Sequence, residues 1–577
     1  MTNRTRKPLL PTCKLLLAAI LLTSSIAASE LPTAIHVDQV GYPPQSRKLA
    51  IVDAPDATSR FTVHRLPGGE AILHGNLGPP VEAPHAGRVV RHADFSAVTT
   101  PGRYVLRVSG VEPSFAFEIG NEPWSALLRL TLRSFYGQRC GTAVDLGPDD
   151  PSYAHPACHL TEAYHTSSGR EGSRGSTGGW HDAGDYGRYV VNSGISTGTL
   201  LWAWEMFPER FRDLGLGIPE SDDETPDLLD EVRWNLDWML SMQDEDGGVW
   251  HKQTSEVFPP MVLPQDDDSI SFVIGTGSEP YKSSCATASL AAAMAIAARV
   301  YEPYDPSFAK AAREAATNAW KWTAEHPDVA FENPPGVATG EYGDRKCQDE
   351  RLWAAAEIWR TTGDPSIGQW FLDHAEDATL SIVPNEPPDW HEVAALAAWS
   401  YALSGKGEAP VVEEIVRRSV LAADTIVERA GAHGYRIPLD EDDFEWGSNG
   451  VAANYGLQLL VTNQLHADPA YAAAARDIVH YLLGRNPLSI SWVTGAGARP
   501  VMHPHHRPSE GDGNELHWPG LLAGGPNRKR QDPAMAVFPP ETPPALMYLD
   551  QEESYATNEI AINWNAPLVF VLAGVME

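Results

Sequence analysis

From Glu30 to about Gly120, apolar and polar positions alternate in short runs. "AIHVDQVGY", "KLAIVD", "RFTVHRL", "RYVLRVSG" and "SFAFEIG" show the period of two expected of half-buried strands, and "PGGE" and "TPGR" supply turns. Strands at this spacing predict a small β-sandwich. It carries no constellation of catalytic residue types and reads as a structural module packed on its neighbour. After "NEPWSALLRLTLRSFYGQRC" the period becomes helical. Apolar runs of helical length recur near 122–139, 186–208, 224–242, 286–301, 306–325, 347–361, 366–378, 391–404, 410–429, 449–466, 468–483 and 557–576. Pro226 in "DDETPDLLDEV" suits a first helical turn. An even number of consecutive helices can close into a ring of hairpins, leaving the loops at one end to build a cleft. Gly- and Pro-rich stretches at 150–180, 244–284, 430–448 and 487–556 interrupt the helices, and loops of that length inside a domain are usually functional.

Residues 1–29 read as a leader rather than fold. Arg4, Arg6, Lys7 and Lys14 precede the apolar run "LLLAAILL", and "SSIAAS" supplies the small residues a signal peptidase cuts after. The run is too short to span a bilayer as a helix. Cys13 lies before it, where a lipoprotein cysteine would not be. The expectation is a secreted protein, extracellular or periplasmic, with a leader at 1–29, a sandwich at 30–120 and a helical domain at 121–577. Composition agrees with a globular chain, 43% of whose 577 residues are hydrophobic. A formal net charge of −33 disfavours nucleic acid and anionic membrane as partners and suits a neutral substrate. The 18 Trp can stack on sugar faces, although any single one is first a core residue.

"GGWHDAGDYGRYVV" places Asp182 and Asp185 on a Gly-containing turn just before an apolar helix. Two like charges held close cost energy unless something uses or compensates them. Two readings compete: helix N-caps, or a pair that holds a water and takes its proton. Far downstream, "MYLDQEESYATNEIAINWNAP" offers Asp550, Tyr555, Asn558 and Glu559 beside a strongly apolar segment. A carboxyl group among aromatic and apolar neighbours keeps its proton near neutrality. A protonated Glu together with ionised carboxylates is what glycoside cleavage requires. In "SWVTGAGARPVMHPHHRPS", His503, His505, His506 and Arg507 crowd one loop. Arg507 argues against a metal there, so the loop reads as hydrogen-bonding a polar substrate, with a buried structural His open for any of the three.

These three blocks resemble glycoside hydrolase family 9, the inverting cellulases, and "IHVDQVGYPPQSRKLAIV" resembles the immunoglobulin-like module that precedes many members. "DFEWGSNG" (443–450) and "GRNPLS" (484–489) match family segments as well. The resemblance implies a mainly α fold, an (α/α)6 barrel preceded by a small immunoglobulin-like β-sandwich. It implies Asp185 as general base, Asp182 as its partner on the water, and Glu559 as general acid. His505 and Arg507 are implied at the sugar next to the scissile bond, with Tyr555 and Asp550 as supporting residues around Glu559. Tyr548, Trp446 and His506 are further expected substrate contacts.

Two metal sites are expected. Cys140, Cys158, His159 and His181 are the ligand types of a closed zinc site, and family members with the N-terminal module often carry such a zinc. A Cys140–Cys158 disulfide is the alternative. Calcium is suggested by Asp344, Asp349 and Glu350 in "TGEYGDRKCQDERLW", with Asp389 in "PPDWHEV" completing the set by resemblance. The alternative there is a capped helix start. "DEDGG" (244–248) reads as a turn, and Cys285 and Cys347 as buried free thiols or an uncommitted pair. The expected function is endo-hydrolysis of β-1,4-glucosidic bonds in cellulose and related β-glucans, with inversion. An exo-acting cellodextrinase, β-glucosidase or glucosaminidase is the close alternative, since the 244–284 insert could block one end of a cleft. An inactive carbohydrate-binding protein would have lost Asp185 or Glu559, and a metal-dependent hydrolase would use the His-rich loop.

Overall fold

The computed structural model describes residues 33–54, 59–147 and 153–576; the expected leader at 1–29 and Cys13 lie outside them. Among the described residues, the most apolar helical runs form an inner ring: Val190–Met206, Ser284–Val300, Gln348–Thr362, Ala394–Leu403, Ser448–Leu465 and Ile562–Val575. Each packs on the next, and the last returns to the first. Ser284–Val300 shows why these runs go inside: it is rich in Ala, and nearly every residue is buried. Small side chains let neighbours approach from all sides, whereas an amphipathic helix has only one face to bury. The outer helices are of that second kind. In Pro306–Glu325 the buried positions are Phe308, Ala309, Ala312, Ala315, Ala316, Ala319, Trp322 and Thr323, a single face.

The outer layer is completed by Glu122–Gly137, Asp227–Ser241, the consecutive pair Pro365–Asp373 and Ala375–Leu380, Ala409–Ala432 and Pro469–Leu482. Inner and outer helices alternate along the chain, which is an (α/α)6 barrel, as expected. The run near 366–378 breaks at His374 into two helices. Three outer helices start on an Asp–Pro pair: Asp305, Asp364 and Asp468 each accept backbone N–H groups of the first turn, while the following Pro has no N–H to lose. Pro226 itself is the N-cap residue of Asp227–Ser241.

Cys285 and Cys347, expected as free or uncommitted thiols, are bonded to each other. Cys285 lies in the first turn of one inner helix and Cys347 caps the next, so ring closure brings their N-termini together. The 244–284 stretch holds structure as well. Lys252–Thr254 and Ser271–Ile274 pair in a four-stranded sheet with Glu162–Tyr164 and Arg188–Tyr189.

The N-terminal module has two sheets over one apolar core that includes Tyr42, Val63, Phe95, Leu106 and Phe117. Three of its strands, Ala71–Asn76, Pro80–Ala83 and Arg88–Asp94, escaped the sequence reading. Ala71–Asn76 is an edge strand with no fully buried residue, so its hydrophobic signal is weak. The module is docked by buried polar contacts. His480 Nδ1 bonds Asp38 Oδ2 at 2.8 Å, and Gln39 Oε1 accepts the N–H groups of Ala498 and Arg499.

Candidate active site

Every inner helix is entered through a loop at the same end of the ring, and these loops build the cleft. Asp182 and Asp185 precede Val190–Met206, Tyr342 precedes Gln348–Thr362, Trp390 precedes Ala394–Leu403, Trp446 precedes Ser448–Leu465, and Glu559 precedes Ile562–Val575. Together they line a cleft of about 550 Å³. Helix N-termini face this end, a field that favours carboxylates there.

The aspartate turn is closed by the Asp182 N–H bonding to the Gly187 carbonyl at 2.9 Å. Gln138 Nε2 supports it from below by donating to the carbonyls of His181 and Ala183. Main-chain pairing then joins the two distant blocks. Ala183 pairs antiparallel with Ala561, and the Ile562 N–H bonds to the Asp182 carbonyl. Two residues outward on each side stand Asp185 and Glu559. Between them the His505 segment wedges in: its N–H bonds to the Asn558 carbonyl at 2.8 Å, and the Arg507 N–H bonds to the Gly184 carbonyl at 3.1 Å. Gly184 is required by this wedge, because a Cβ there would sit 1.9 Å from the His505 carbonyl oxygen.

Asp182 is buried and uses both oxygens. Oδ1 accepts from Asn192 Nδ2 at 2.5 Å and Oδ2 from the Tyr342 hydroxyl at 2.6 Å. Burial and the nearby Asp185 push its pKa up to about 7, with the Tyr342 and Asn192 bonds opposing. Asp185 takes both of its hydrogen bonds on Oδ2, from the Gly187 N–H and the Tyr189 hydroxyl. No bond is recorded to Oδ1 among the described residues. Glu559 is half-buried, and Trp446 Nε1 donates to its Oε2 at 2.9 Å. Burial first, then Asp185 and Asp182, push its pKa to about 8 against the Trp446 bond and Arg507. Glu559 thus carries a proton near neutrality, and with Oε2 occupied by the indole N–H the proton belongs on Oε1.

The other expected site residues divide. Trp446 reaches the cleft and is 37% exposed, enough to offer a sugar a flat face. Tyr555 sits at the rim, its ring 5.4 Å from that of Trp446. Asp550 accepts the N–H groups of Met502 and His503 and so holds the histidine loop. His505 is partly buried, with Nδ1 bonded to the Glu552 carbonyl oxygen; burial, aided by Arg507, lowers its pKa. Arg507 is largely committed, donating to the Pro259 and Gly184 carbonyls beneath the aspartate turn.

Three expectations need correction. Tyr548 is a core residue, not a platform: it is buried, edge-on to Trp492, and hydrogen-bonds Asn558. His506 is buried, with one ring nitrogen on Ser509 Oγ and the other on Gln138 Oε1, so it braces the turn rather than touching a ligand. Asp389 caps its own turn through the N–H groups of His391 and Glu392 and faces the cleft, away from the acidic cluster it was expected to complete.

That cluster does form from the other three. One oxygen from each of Asp344, Asp349 and Glu350 lies within 4.8 Å of the others. Both Glu350 carboxylate oxygens and Asp344 Oδ2 are buried without partners. Burial and the adjoining Asp349 push Glu350 well above the usual carboxylate range, a cost that a hard cation would relieve. The thiols Cys140 and Cys158 are buried and unbonded to each other, with His159 and His181 within the same 4.8 Å. His159 Nδ1 lacks a partner while its Nε2 bonds Asp267 at 3.2 Å, the outer carboxylate that commonly orients a metal-binding histidine. Both donor sets fit the ions expected of them.

Tyr342, Asn192, Tyr189, Trp390 and Trp564 escaped the sequence reading as site residues. Tyr342 and Trp390 lie inside segments singled out for calcium, and Tyr342 has φ +43°, a strained value for an aromatic residue. Asn192 has no signal beyond being one polar residue in an apolar helix.

A proton-bearing glutamate facing an aspartate pair across an aromatic cleft defines the class of glycoside hydrolases. The model of glycosyl hydrolase family 9 matches residues 124–572, and that of the cellulase N-terminal Ig-like domain matches 30–113. The chain belongs to glycosyl hydrolase family 9. It is 35% identical to endoglucanase D of Acetivibrio thermocellus over 548 residues, covering 94% of this chain and 83% of that one. It is 34% identical to a xyloglucan-specific endo-β-1,4-glucanase of Bacteroides ovatus over 579 residues, 96% of each. A solved thermostable endoglucanase (D468A) from Alicyclobacillus acidocaldarius superposes with a TM-score of 0.86 at 35% identity, covering 95% of this chain and all of that one.

Proposed function

We propose that the protein cleaves β-1,4-glucosidic bonds within cellulose and related β-glucan chains, with inversion at the anomeric carbon. The observation that carries this reading is Glu559, raised to about 8, sharing one cleft with Asp185. Asp185 takes a proton from a water whose oxygen attacks the anomeric carbon. Asp182, fixed by Asn192 and Tyr342, holds that water. The bond to the leaving sugar breaks as Glu559 Oε1 protonates the departing oxygen. An inverting pair needs roughly 6.5–9.5 Å between carboxyl groups. The inserted His505 segment, whose N–H groups bond the Asn558 carbonyl on one side and, through Arg507, the Gly184 carbonyl on the other, stands between the strands that carry this pair. Trp390, Trp446 and Trp564 supply stacking faces.

Zinc is proposed at Cys140, Cys158, His159 and His181, where it would brace the aspartate turn through His181. Calcium is proposed at Asp344, Asp349 and Glu350, holding the loop that carries Tyr342. Export through residues 1–29 is proposed on the leader pattern. No helix among the described residues is long and apolar enough to cross a membrane.

The test is product analysis on cellohexaose, carboxymethylcellulose and xyloglucan, comparing the parent with Glu559→Gln and Asp185→Asn. A fall in viscosity that accompanies the first reducing ends, with α-anomers appearing first, supports the proposal. Glucose or cellobiose released without a viscosity drop would instead support exo-action, and undiminished turnover by either variant would remove the assignment.

A further inference from the structure

Of the four basic residues in "HPHHR", the structure commits three. His505 bonds the Glu552 carbonyl, His506 bonds Ser509 and Gln138, and Arg507 bonds the Gly184 and Pro259 carbonyls. His503 is left exposed, and it turns the other way, toward His517, with ring centroids 5.4 Å apart. The objection that Arg507 repels a cation from this loop therefore lapses, because its guanidinium is tied beneath the aspartate turn.

We infer that His503, Glu510 and His517 form a binding site for a divalent transition-metal ion of the zinc class, separate from the Cys/His and all-carboxylate clusters. One donor atom from each residue lies within 4.8 Å of the others. His517 is nine-tenths buried, and neither of its ring nitrogens makes a well-formed hydrogen bond; one only feels the nearby Ser509 carbonyl. Glu510 Oε1 is also buried without a hydrogen-bond partner, 3.9 Å from His517 Nδ1. Two unpaired buried polar groups aimed at each other cost free energy that a shared ion would recover. Asp512 acts electrostatically on both, and its buried Oδ2 is likewise unpaired, which makes it a candidate fourth donor.

Two imidazoles and a carboxylate suit zinc, nickel or copper rather than calcium, which takes oxygen ligands. Zinc needs its donors about 2.0–2.2 Å from the ion, and of the three side chains the exposed His503 is the one freest to adjust. Glu510 lies in the short helix Arg507–Gly511, just downstream of the His505 wedge, and His503 and His517 lie on either side of it along the chain. A bound ion would staple this loop.

The experiment is equilibrium titration of the full-length protein with Zn²⁺ in saturating calcium, after its tightly held zinc has been counted by elemental analysis. The parent is expected to bind one further equivalent, with affinity about 100-fold weaker in His503→Ala and in Glu510→Gln. His503 is exposed, so its variant should fold. Co²⁺ separates this site from the cysteine site: the additional equivalent must add visible d–d absorption without new thiolate charge-transfer absorption in the near ultraviolet. No further equivalent in the parent, an equivalent that survives both substitutions, or one that brings a thiolate band would each overturn the inference.

Discussion

Ala183 and Ala561 pair antiparallel although 378 positions of chain separate them, and this pair sets Asp185 and Glu559 two residues away on facing strands. The His505 carbonyl then presses on Gly184 where no side chain fits. Gly184→Ala should therefore spread the wedge and misplace Asp185. A displacement near 1 Å at a reacting group costs on the order of 100-fold in rate. The expected outcome is a loss of kcat of that size or more, with a helical circular-dichroism spectrum close to the parent's. Full activity in a folded Gly184→Ala protein would contradict the proposed contact.

The pH profile of kcat/KM should be bell-shaped, since it reports the free enzyme's essential acid and base. The alkaline limb should fall near 8, where Glu559 loses its proton, and the acid limb near 7, where Asp182 gains one. The Trp446 bond favours ionised Glu559, so Trp446→Phe should shift the alkaline limb upward. Tyr342→Phe should shift the acid limb upward by removing a donor to ionised Asp182, and should lower kcat by about 10–100-fold. Rate profiles measured from pH 5 to about 10 decide both directions.

Stability carries the same signature. The folded-state value of Glu559, about 8, stands above its ordinary 4.5, so folding favours its protonated form. That contribution is fully present below about 4.5 and is lost progressively as pH rises to about 8. A Glu559→Gln protein does not lose it. The variant should thus melt at the parent's temperature in acid and roughly a few degrees higher above pH 8. Thermal melts at the two pH extremes test this, and a variant less stable than the parent at high pH would show that the carboxylate is welcome in its site.

Removal of the proposed zinc should act slowly. Cys140, Cys158, His159 and His181 lie behind the aspartate turn and not in the cleft. Chelation should leave the initial rate unchanged and lower the melting temperature over time, and Cys140→Ser should reproduce the loss of stability. Immediate abolition of activity by a chelator would instead place a metal in the reaction itself.

Tyr548→Phe and Trp564→Ala separate core from cleft. Tyr548 is buried on Asn558, so its hydroxyl should affect stability by about 1 kcal/mol and leave KM alone. Trp564 lines the cleft, and truncating its indole should raise KM several-fold. Steady-state kinetics on cellohexaose distinguishes the two.

Much of this protein was legible in order and pattern. Apolar runs at helical spacing and their even number pointed to a closed ring, and the family resemblance to an (α/α)6 barrel; that Ser284–Val300 is buried all round while Pro306–Glu325 buries one face is what the structure adds. Asp182 and Asp185 stood out as like charges held close, and Glu559 as a carboxyl group beside aromatic and apolar neighbours; their roles came from the family resemblance. Direction and pairing were not legible. Tyr548 and Trp446 are both aromatic residues beside acidic segments, yet one turns into the core and the other into the cleft. Cys285 finds Cys347 because two inner helices start side by side, and His503, His505 and His506 point three ways because their N–H groups are held separately, by Asp550, by the Asn558 carbonyl and by the Pro504 carbonyl. Local sequence determines periodicity, capping and charge. Which distant groups meet depends on ring closure and on main-chain bonds between strands hundreds of residues apart, and those belong to the tertiary structure alone.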